Sequence, residues 1–484
     1  MLILIIPVVI VALLAVLLIR TINFSNAKTT VKPERIEVGG EVSDGTEKLA
    51  EAIRVKTVSH MDASMTDWDE FVKFQKLLER LFPGLHKACD RTVIGDYSLV
   101  YRWKGADSGK KPCLVTAHID VVPVEKGTEK DWEHPPFSGE IVDGFVWGRG
   151  TLDTKIHLIA SLEAAEQLTR EGFVPNRDIY FAFGHDEEVG GFAGASNIVA
   201  HFQKEGIEFE FMLDEGGCIT DGVIEGVGKP IALVGIGEKG FANIKLTFKG
   251  EGGHSSTPPA HSALGVAAQA VGRLEKNQCR LRLIDPIRIF LMKLGPEMGF
   301  ANRLILANLW LFKPLFLAVF SKNRNGNAML RTTTAATMAE ASQAPNVLPQ
   351  KASVIVNFRL LPGETGEDLI KHIKDTLKGI ETEIDPLILD GPSAVSSHDS
   401  EAFKAIAGIT GRLCEDALVV PYIVLASTDA RKYEAVCKDV YRFTPYRIDA
   451  RDMDRIHSTN ERISLENVNR CVRFFRLLFE EAGL

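Results

Sequence analysis

The sequence predicts an α/β fold, a mostly parallel sheet flanked by helices, with a smaller α+β domain inserted into it. Strand-like and helix-like segments alternate in the first half of the chain, as they do where helices connect parallel strands. The pattern changes after Gly235, where half-exposed strands begin. A length of 484 residues also exceeds what one ordinary core accommodates, which favours two domains.

The first domain is predicted to comprise residues 46–234 and 393–484. Its first part contains five alternating segments: PCLVTAHIDVV, IHLIASLEAAEQLTREG, DIYFAFGH, ASNIVAHFQKEG and FEFMLDEGG. Its second part adds the strand VVPYIVLAS and the terminal helix LENVNRCVRFFRLLFEEAG. Functional groups of parallel sheets gather where strands end. Acidic and histidine residues follow these strands directly, which is the first indication of a site.

The second domain is predicted to be inserted at residues 235–392. Its segments follow the order strand, helix, two strands, helix and strand, beginning with FANIKLTFKG and ending with ETEIDPLIL. This order is that of a split βαβ, or ferredoxin-like, sandwich.

An apolar insertion at residues 280–325 interrupts this second domain. Residues 287–320 are strongly apolar and aromatic, and Pro296 and Pro314 are predicted to break them into short helices instead of a second membrane span. One interpretation is a lining or membrane-resting surface for a long acyl chain. The alternative is additional core for the inserted domain, or a dimer interface.

The N-terminus, residues 1–27, is predicted to be a transmembrane anchor or a cleaved signal peptide, followed by a polar linker at 28–45. Residues 2–19 carry no charge and are about long enough to cross a bilayer. Small residues at 25–27 offer a cleavage pattern, whereas the basic residues after the span favour a cytosolic C-terminal side. The protein is therefore expected to be membrane-anchored, or secreted through the secretory pathway.

Composition excludes other classes of protein. The net charge of −8 and the absence of a basic stripe argue against nucleic acid as a partner. The seven cysteines are scattered and lack CxxC spacing, which indicates neither a disulfide framework nor a cysteine zinc site. We expect most of them to be small core residues.

Five short stretches place potential metal ligands at predicted strand ends: TAHID, GRGTLDTK, GHDEEVGG, FMLDEGG and RIHSTNE. Imidazole nitrogen with carboxylate oxygen and no thiolate suits zinc or a comparable divalent ion. The adjacent Glu187 and Glu188 repel each other unless positive charge lies beside them. Two histidines among several carboxylates can hold two ions if one carboxylate bridges them. The prediction is two Zn²⁺, or comparable ions such as Co²⁺ or Mn²⁺.

These motifs resemble the di-zinc aminoacylase and carboxypeptidase family of metallopeptidases. The resemblance extends from about residue 45 over nearly the whole chain and includes WEHPPFSGEIVDGFVWGRGTLDTK and NVLPQKASVIVNFRLLPGET. Within the family, RTTTAATM, STDARKY, YRFTP and RIHSTNERIS are similar to carboxypeptidase S and the N-fatty-acyl amino acid synthase/hydrolase. The resemblance implies that the first domain is catalytic and the inserted one a lid or dimerisation domain, with a homodimer as one possible assembly.

Carried over to this sequence, the resemblance implies a role for each residue of the site. Asp153 would bridge the two ions, and Glu187 would be the general base, since neighbours on an extended backbone point in opposite directions. Asp120 would hold an imidazole in its ligating tautomer. His118 and Asp214 would complete the site of one ion, and Glu188 and His457 would complete the site of the other. His185 and Asp186 are expected to make local hydrogen bonds, and His157 and His201 to lie on exposed helix faces.

The resemblance also implies substrate contacts. His254 would stabilise the oxyanion, in relatives often from the partner subunit, unless it is only a turn histidine. Arg359 would grip an α-carboxylate with a bidentate fork, the alternative being a strand-edge salt bridge. Further contacts are expected from Asn346 and from the loop that carries Thr428, Asp429 and Arg431.

The predicted function is metal-dependent hydrolysis of the amide bond between an acyl group and a free amino acid. N-fatty-acyl amino acids are the favoured substrates, and because the reaction is reversible the same site could also synthesise them. One alternative is a carboxypeptidase S-like enzyme that removes C-terminal residues from short peptides. Another, of a different class, is a non-catalytic, membrane-tethered binding protein on the same scaffold.

Overall fold

The computed structural model describes residues 2–26 and 35–481. Elements up to the end of the first domain's first part are α1 Leu2–Asn26, α2 Asp44–Arg54, α3 Trp68–Leu81, α4 Pro83–Ala88, β1 Cys89–Ile94, β2 Ser98–Trp103, β3 Cys113–His118, β4 Ile141–Val142, β5 Phe145–Trp147, α5 Lys155–Arg170, β6 Ile179–Gly184, α6 Ala195–Lys204, β7 Met212–Asp214, β8 Ile219–Thr220 and β9 Ile231–Glu238.

The second domain and the return to the first follow. The inserted elements are β10 Gly240–Lys249, β11 Gly253–His254, α7 Ala263–Lys276, α8 Asp285–Leu294, α9 Phe300–Ala307, α10 Leu309–Phe320, α11 Arg324–Leu330, β12 Thr333–Glu340, β13 Val347–Leu348, β14 Lys351–Leu360, α12 Gly366–Thr376 and β15 Glu383–Asp390. The last are α13 Glu401–Leu413, β16 Leu418–Val424, β17 Val440–Arg442, β18 Arg447–Ile448, α14 Ala450–Met453, β19 Arg462–Ser464 and α15 Leu465–Glu481.

A ten-stranded sheet forms the first domain, in the order β1-β2-β6-β3-β7-β17-β9-β8-β18 with β16 beside β9. Its centre, β6-β3-β7-β17, is parallel, and antiparallel pairs lie towards the edges. The predicted α/β fold with a mostly parallel sheet is confirmed. Strand β9 crosses the predicted boundary at residues 234–235, and the exact domain limits remain predictions.

Alternating side chains of the central strands bury against helices on both faces of this sheet. Phe181 and Phe183 of β6 belong to the core that includes residues of α5 and α15, whereas Tyr180 and Ala182 pack with residues of α6. Successive residues of a strand point to opposite faces, so continuously apolar strands require helices on both sides. All seven cysteines are buried and unpaired, as expected.

The inserted domain is a four-stranded antiparallel sheet in the order β12-β14-β10-β15, with α7 and α12 packed on it. This strand order is that of the predicted split βαβ sandwich. Helix α8 of the apolar insertion instead buries Ile287 and Phe290 with Ile231 of β9 and Val420 of β16. Part of the apolar insertion is therefore core between the two sheets.

One predicted helix break is misplaced. Pro296 does lie in a 3₁₀ turn, Gly295–Glu297, between α8 and α9, but Pro314 lies inside α10. The break that separates α9 from α10 falls at Asn308, which is non-helical and fully buried. Proline removes one hydrogen bond from a helix, and the remaining bonds of α10 hold that helix together.

A buried ion pair joins the ends of β9 and β17. The Arg442 guanidinium donates to the Glu238 carboxylate over 2.7 Å, and both side chains are almost fully buried. Glu238 also accepts from the amide and the hydroxyl of Thr428, at 2.8 and 3.0 Å. This one carboxylate therefore connects the large sheet to the loop that follows β16.

We expect Glu238→Ala to lower the free energy of unfolding by about 3–5 kcal/mol, because Arg442 would remain buried without its partner. Urea denaturation of the full chain in detergent, followed by circular dichroism, measures the change. The control is Glu401→Ala, which removes an exposed pair with Lys404 and should change stability little. Equal effects of the two substitutions would contradict the role of the buried pair.

Candidate active site

Three of the five predicted ligands, and the predicted base Glu187, lie at or just after the carboxyl ends of three neighbouring parallel strands. His118 is the last residue of β3, and Asp214 is the last residue of β7. Glu187 and Glu188 begin a 3₁₀ turn, Glu187–Val189, just after β6. Because β6, β3 and β7 are adjacent, their ends place these side chains at one edge of the sheet.

Asp153 lies between two imidazoles, in the turn that joins β5 to α5. Its Oδ1 is 3.0 Å from His118 Nε2, and its Oδ2 is 2.9 Å from His457 Nε2. His457 reaches the site from the turn before β19 and has a left-handed φ of 61°. Such a conformation is costly for a non-glycine residue and is concentrated at functional sites. Each oxygen of one carboxylate therefore faces a different histidine.

Two overlapping groups of ligand atoms result, each with all its atoms within 4.8 Å of one another. The first is His118, Asp153 and Glu215, and the second is Asp153, Glu188 and His457. Ligands about 2.0–2.1 Å from a tetrahedral zinc ion lie about 3.3 Å apart at neighbouring vertices. The Asp153 oxygens lie 3.0 and 2.9 Å from the two imidazole nitrogens, and Glu188 Oε2 lies 3.3 Å from His457 Nε2, distances close to that spacing.

The structure places Glu215 in a group with His118 and Asp153, whereas Asp214 is the ligand that the sequence predicts beside them. Asp214 ends β7 and Glu215 follows it, and Asp214 stays a predicted ligand. Asp214 is fully enclosed, and burial raises its pKa to about 7, an effect that the Thr116 hydroxyl opposes. The Asp-Glu pair at the end of β7 therefore offers two candidate ligands for one ion.

The residues present fit divalent cations. Glu188 Oε1 is buried and has no hydrogen-bond partner among the described residues. Burial and neighbouring carboxylates raise the pKa values of Glu187 and Glu215 well above the ordinary range. Several carboxyl groups thus share one enclosed space with two imidazoles, and divalent ions would allow them to ionise together.

Asp120 organises two parts of the site. The His118 Nδ1–H donates to the main-chain oxygen of Asp120 over 2.9 Å, which leaves Nε2 free to face Asp153. The Asp120 carboxylate is fully buried and accepts from the amides of Glu187 and Glu188, at 3.1 and 3.2 Å, and from Ser59 Oγ at 2.6 Å. The same side chain therefore lies beside the imidazole and fixes the turn that carries both glutamates.

Glu461 has a corresponding role on the other side and was not predicted. Its fully buried carboxylate accepts from the amides of Gly150 and Leu152, at 3.1 and 2.8 Å, and from Arg149 Nη1 at 2.7 Å. It thereby joins the turn that carries Asp153 to the segment that carries His457. Burial of a glutamate by distant parts of the chain leaves no distinctive local pattern.

The other residues of the motifs have local roles. His185 Nδ1 is 2.7 Å from Ser98 Oγ, and Asp186 accepts from the amides of Ala193 and Gly194 at 2.7 Å, as expected. The expectation for His157 is wrong, because this residue is fully buried and bonds Thr444 Oγ1 over 2.7 Å. Helix α5 is covered by α15, so its outward face does not reach water.

Arg359 of β14 is half-buried and has no carboxylate partner among the described residues. Its Nη1 lies 3.4 Å from Ser427 Oγ, and its guanidinium is 4.6 Å from the centre of the Phe241 ring. The salt bridge considered as an alternative is therefore not formed in the described structure. A half-buried guanidinium without a counter-charge can bind a carboxylate.

The loop after β16 contacts the turn that carries the two glutamates. Lys432 Nζ donates to Gly190 O and to Asp429 Oδ1, both over 2.7 Å. The Thr428 hydroxyl donates to the Glu238 carboxylate, and Arg431 Nη2 donates to Gly391 O over 2.7 Å. This loop thus connects the turn to the end of the inserted domain.

His254 and Asn346 are exposed on the two-stranded ribbon β11–β13. His254 pairs with Val347, and the main-chain oxygen of Asn346 accepts from Ser255. The Nδ1 atom of His254 is 2.7 Å from Ser256 Oγ and accepts from the Ser256 amide. The contacts of the described residues do not join either side chain to the Asp153 groups, so their roles stay predictions.

Comparison with known proteins agrees with this geometry. Residues 114–481 match the model of "Peptidase family M20/M25/M40". The chain is 40% identical over 479 residues to probable carboxypeptidase S-like 2 of Dictyostelium discoideum, covering 96% of this chain and 91% of that one. It is 36% identical over 482 residues to the N-fatty-acyl-amino acid synthase/hydrolase PM20D1 of Xenopus tropicalis, covering 98% and 93%.

A solved structure shows the same fold. The M20 family metallo-carboxypeptidase Sso-CP2 of Sulfolobus solfataricus aligns with a TM-score of 0.69 at 17% identity, over 91% of this chain and all of that one. Fold and site together define a metal-dependent hydrolase. The chain belongs to the peptidase family M20/M25/M40, and both the predicted family and its subgroup are confirmed. The expectation of an enzyme is confirmed over that of a binding protein.

Metal content distinguishes the two candidate ligands at the end of β7. We expect Glu215→Gln to weaken retention of one ion by at least about 10–100-fold, because a ligand loses its charge. Asp214→Asn should retain the metal, since its neutral amide mimics the protonated carboxyl. Plasma mass spectrometry of desalted protein checks both. Loss of metal from Asp214→Asn, but not from Glu215→Gln, would identify Asp214 as the ligand.

Proposed function

We propose that this protein is a two-metal hydrolase that cleaves the amide bond between an acyl group and a free amino acid, and that N-fatty-acyl amino acids are its substrates. The observation that carries the proposal is the position of Asp153, whose two oxygens face two different histidines at about 3 Å. A single-ion site has no use for a carboxylate placed between two separate ligand groups. A bridging carboxylate is what a two-ion site requires.

The two groups of ligands indicate where each ion would bind. His118, Asp153 and Glu215 would hold one, and Asp153, Glu188 and His457 the other, with Zn²⁺ favoured and Co²⁺ or Mn²⁺ as comparable ions. Bound there, the two ions would polarise the amide carbonyl and make water more acidic.

Glu187 is assigned as the general base. It neighbours the ligand Glu188 on the turn that Asp120 fixes through its carboxylate, but belongs to neither ligand group. Its carboxylate accepts a proton from the attacking water and delivers it to the leaving amine nitrogen. Two consecutive glutamates are thus needed because one holds metal and the other moves a proton.

Arg359 is assigned to the free carboxylate of the leaving amino acid. The guanidinium lacks a counter-charge among the described residues, and Phe241 supports its planar face. A carboxylate would receive two parallel N–H donors from it. The same requirement holds for a carboxypeptidase, which the relative named carboxypeptidase S-like 2 supports as the second candidate.

The acyl group distinguishes the two candidates, and a partly apolar cavity supports the long chain. A cavity of about 730 Å³ lies between α10 and the segment before α8. Apolar side chains line it together with four charged residues, and Pro362 and Gly363, which follow the strand of Arg359, also line it. Its size is within the range of sites for ligands as large as a fatty-acyl amino acid. Relatives named N-fatty-acyl-amino acid synthase/hydrolase agree with this substrate class.

Glu187→Gln is expected to keep both ions and to lower kcat by about 10²–10⁴-fold, because the amide cannot accept a proton. Turnover and metal content are measured on the same preparation. The control is Glu205→Gln at the exposed end of α6, which should behave as wild type. Near-normal turnover by Glu187→Gln with full metal content would exclude the proposed base.

A substrate series tests the proposed specificity. We expect a higher kcat/KM for N-oleoyl-leucine than for the blocked dipeptide Cbz-Gly-Leu, and Arg359→Met to lower the value for N-oleoyl-leucine by about 10–100-fold. N-oleoyl-isoamylamine, which lacks only the carboxylate, should respond little to the substitution. Faster cleavage of the dipeptide by wild type would favour the carboxypeptidase, and equal losses on both oleoyl compounds would remove Arg359 from carboxylate binding.

A further inference from the structure

The second half of helix α1 packs against the apolar insertion. Among the described residues, one helix is long and apolar enough to cross a membrane, residues Ile6–Asn26 of α1, which is compatible with an anchor or a signal sequence. Leu17 and Thr21 are buried, whereas the residues from Ile6 to Val16 are exposed. The helix therefore divides into a free half and a half that contacts the rest of the chain.

Polar contacts as well as apolar ones hold this half of α1. Asn308 Nδ2, between α9 and α10, donates to Leu17 O at 3.2 Å and lies 3.3 Å from Thr21 Oγ1. Arg303 Nη1 donates to Ser25 Oγ over 2.6 Å, and Arg20 Nε donates to Ala307 O over 3.2 Å. Removal of α1 would leave the buried Asn308 amide without these partners. Such specific bonds are what a retained structural helix requires.

Helix α10 follows α9, which packs on α1, and presents an apolar face outward. Trp310, Leu311, Leu315 and Val319 are 57%, 41%, 51% and 57% exposed, and Phe300 at the start of α9 is 54% exposed. Leu311, Leu315 and Val319 recur every four residues and therefore share one side of the helix. Contiguous apolar surface of this kind is uncommon on soluble proteins and marks a contact with another apolar phase.

The depth of this surface follows from its attachment to α1. The span Ile6–Asn26 has 21 residues and rises about 31 Å, close to the 30 Å thickness of a bilayer's hydrocarbon core. The contacts with α9 and Asn308 fall between Leu17 and Ser25, inside the span. If α1 crosses the membrane, α9 and Asn308, from which α10 starts, must lie at the depth of its second half, within one leaflet or its headgroup region.

We propose that α1 is retained in the mature protein and that α9 and α10 rest with it in the membrane, so that the lipid bilayer covers the exposed face of α10. The distribution of charge fits this position. Lys313, the one charged residue within α10, lines the cavity, which leaves the outward face of that helix uncharged. Lys322 and Arg324, both exposed, follow the end of α10 and can contact anionic lipid. The proposal concerns the attachment to membrane and is independent of the reaction catalysed.

Trp310 is a natural reporter of this position. The other tryptophans, Trp68, Trp103, Trp132 and Trp147, are buried or half-buried, whereas Trp310 is the exposed one. The full chain is reconstituted into vesicles of phosphatidylcholine and phosphatidylserine, with ordinary or dibrominated acyl chains, beside the matched variant Trp310→Phe. The difference in emission between wild type and variant isolates Trp310.

We expect brominated lipid to quench at least half of the Trp310 emission and to leave the emission of Trp310→Phe nearly unchanged. Intact-mass analysis of the reconstituted protein should show α1 still attached. Equal Trp310 emission in both lipids would overturn the proposal, even if α1 holds the protein on the vesicles. Trp310 that is shielded from aqueous acrylamide but not quenched by brominated lipid would assign the face to a second copy of the chain and would also overturn it.

Discussion

The site depends on one electrostatic constraint: several carboxyl groups are enclosed at the edge of a sheet with only two imidazoles among them. Asp153 is at the centre, and segments distant in sequence converge on it. Asp120 holds the His118 side and the Glu187–Glu188 turn, whereas Glu461 holds the turn of Asp153 against the segment of His457. Both supporting carboxylates are fully buried and accept main-chain amides. These two buried carboxylates thus fix the backbone segments that carry the ligands.

The same constraint explains which parts of the site could be predicted. His118, Glu188 and His457 follow from residue type and motif, and strand alternation separates Glu187 from Glu188. Alternation does not say which member of a pair points inward, so the predicted Asp214 and the grouped Glu215 are both candidate ligands. Glu461 and the burial of His157 depend on contacts between distant segments, which leave no local periodicity. The fold class was predictable because apolar strands and helices alternate, whereas the helix break at Asn308 depends on α1, which lies far away in sequence.

The inserted domain is connected to the metal-ligand groups through more than its two chain crossings. Arg359 of β14 contacts Ser427, and the next residue, Thr428, bonds Glu238, which is held by Arg442 at the end of β17. Helix α8 adds apolar packing between the insertion and β16. A movement of the inserted domain would therefore displace the Arg359 guanidinium and the loop of Asp429 together. If Arg359 binds the carboxylate of the amino acid as proposed, this coupling would let that binding affect the order of the turn that carries Glu187.

The position of the cavity on α10 would explain why the apolar insertion lies at a membrane, as proposed. Lys313 and Leu317 of α10 line the cavity, while Leu315 and Val319 of the same helix face outward. Transfer of an acyl chain from water to an apolar phase gains about 0.8 kcal/mol per CH₂, so a long-chain substrate is concentrated in the bilayer and scarce in water. A cavity reached only from water would meet few such molecules. In the proposed arrangement, a cavity walled by a membrane-resting helix would receive the chain from one apolar phase into another, and the polar head would then turn towards Arg359 and the ligand groups.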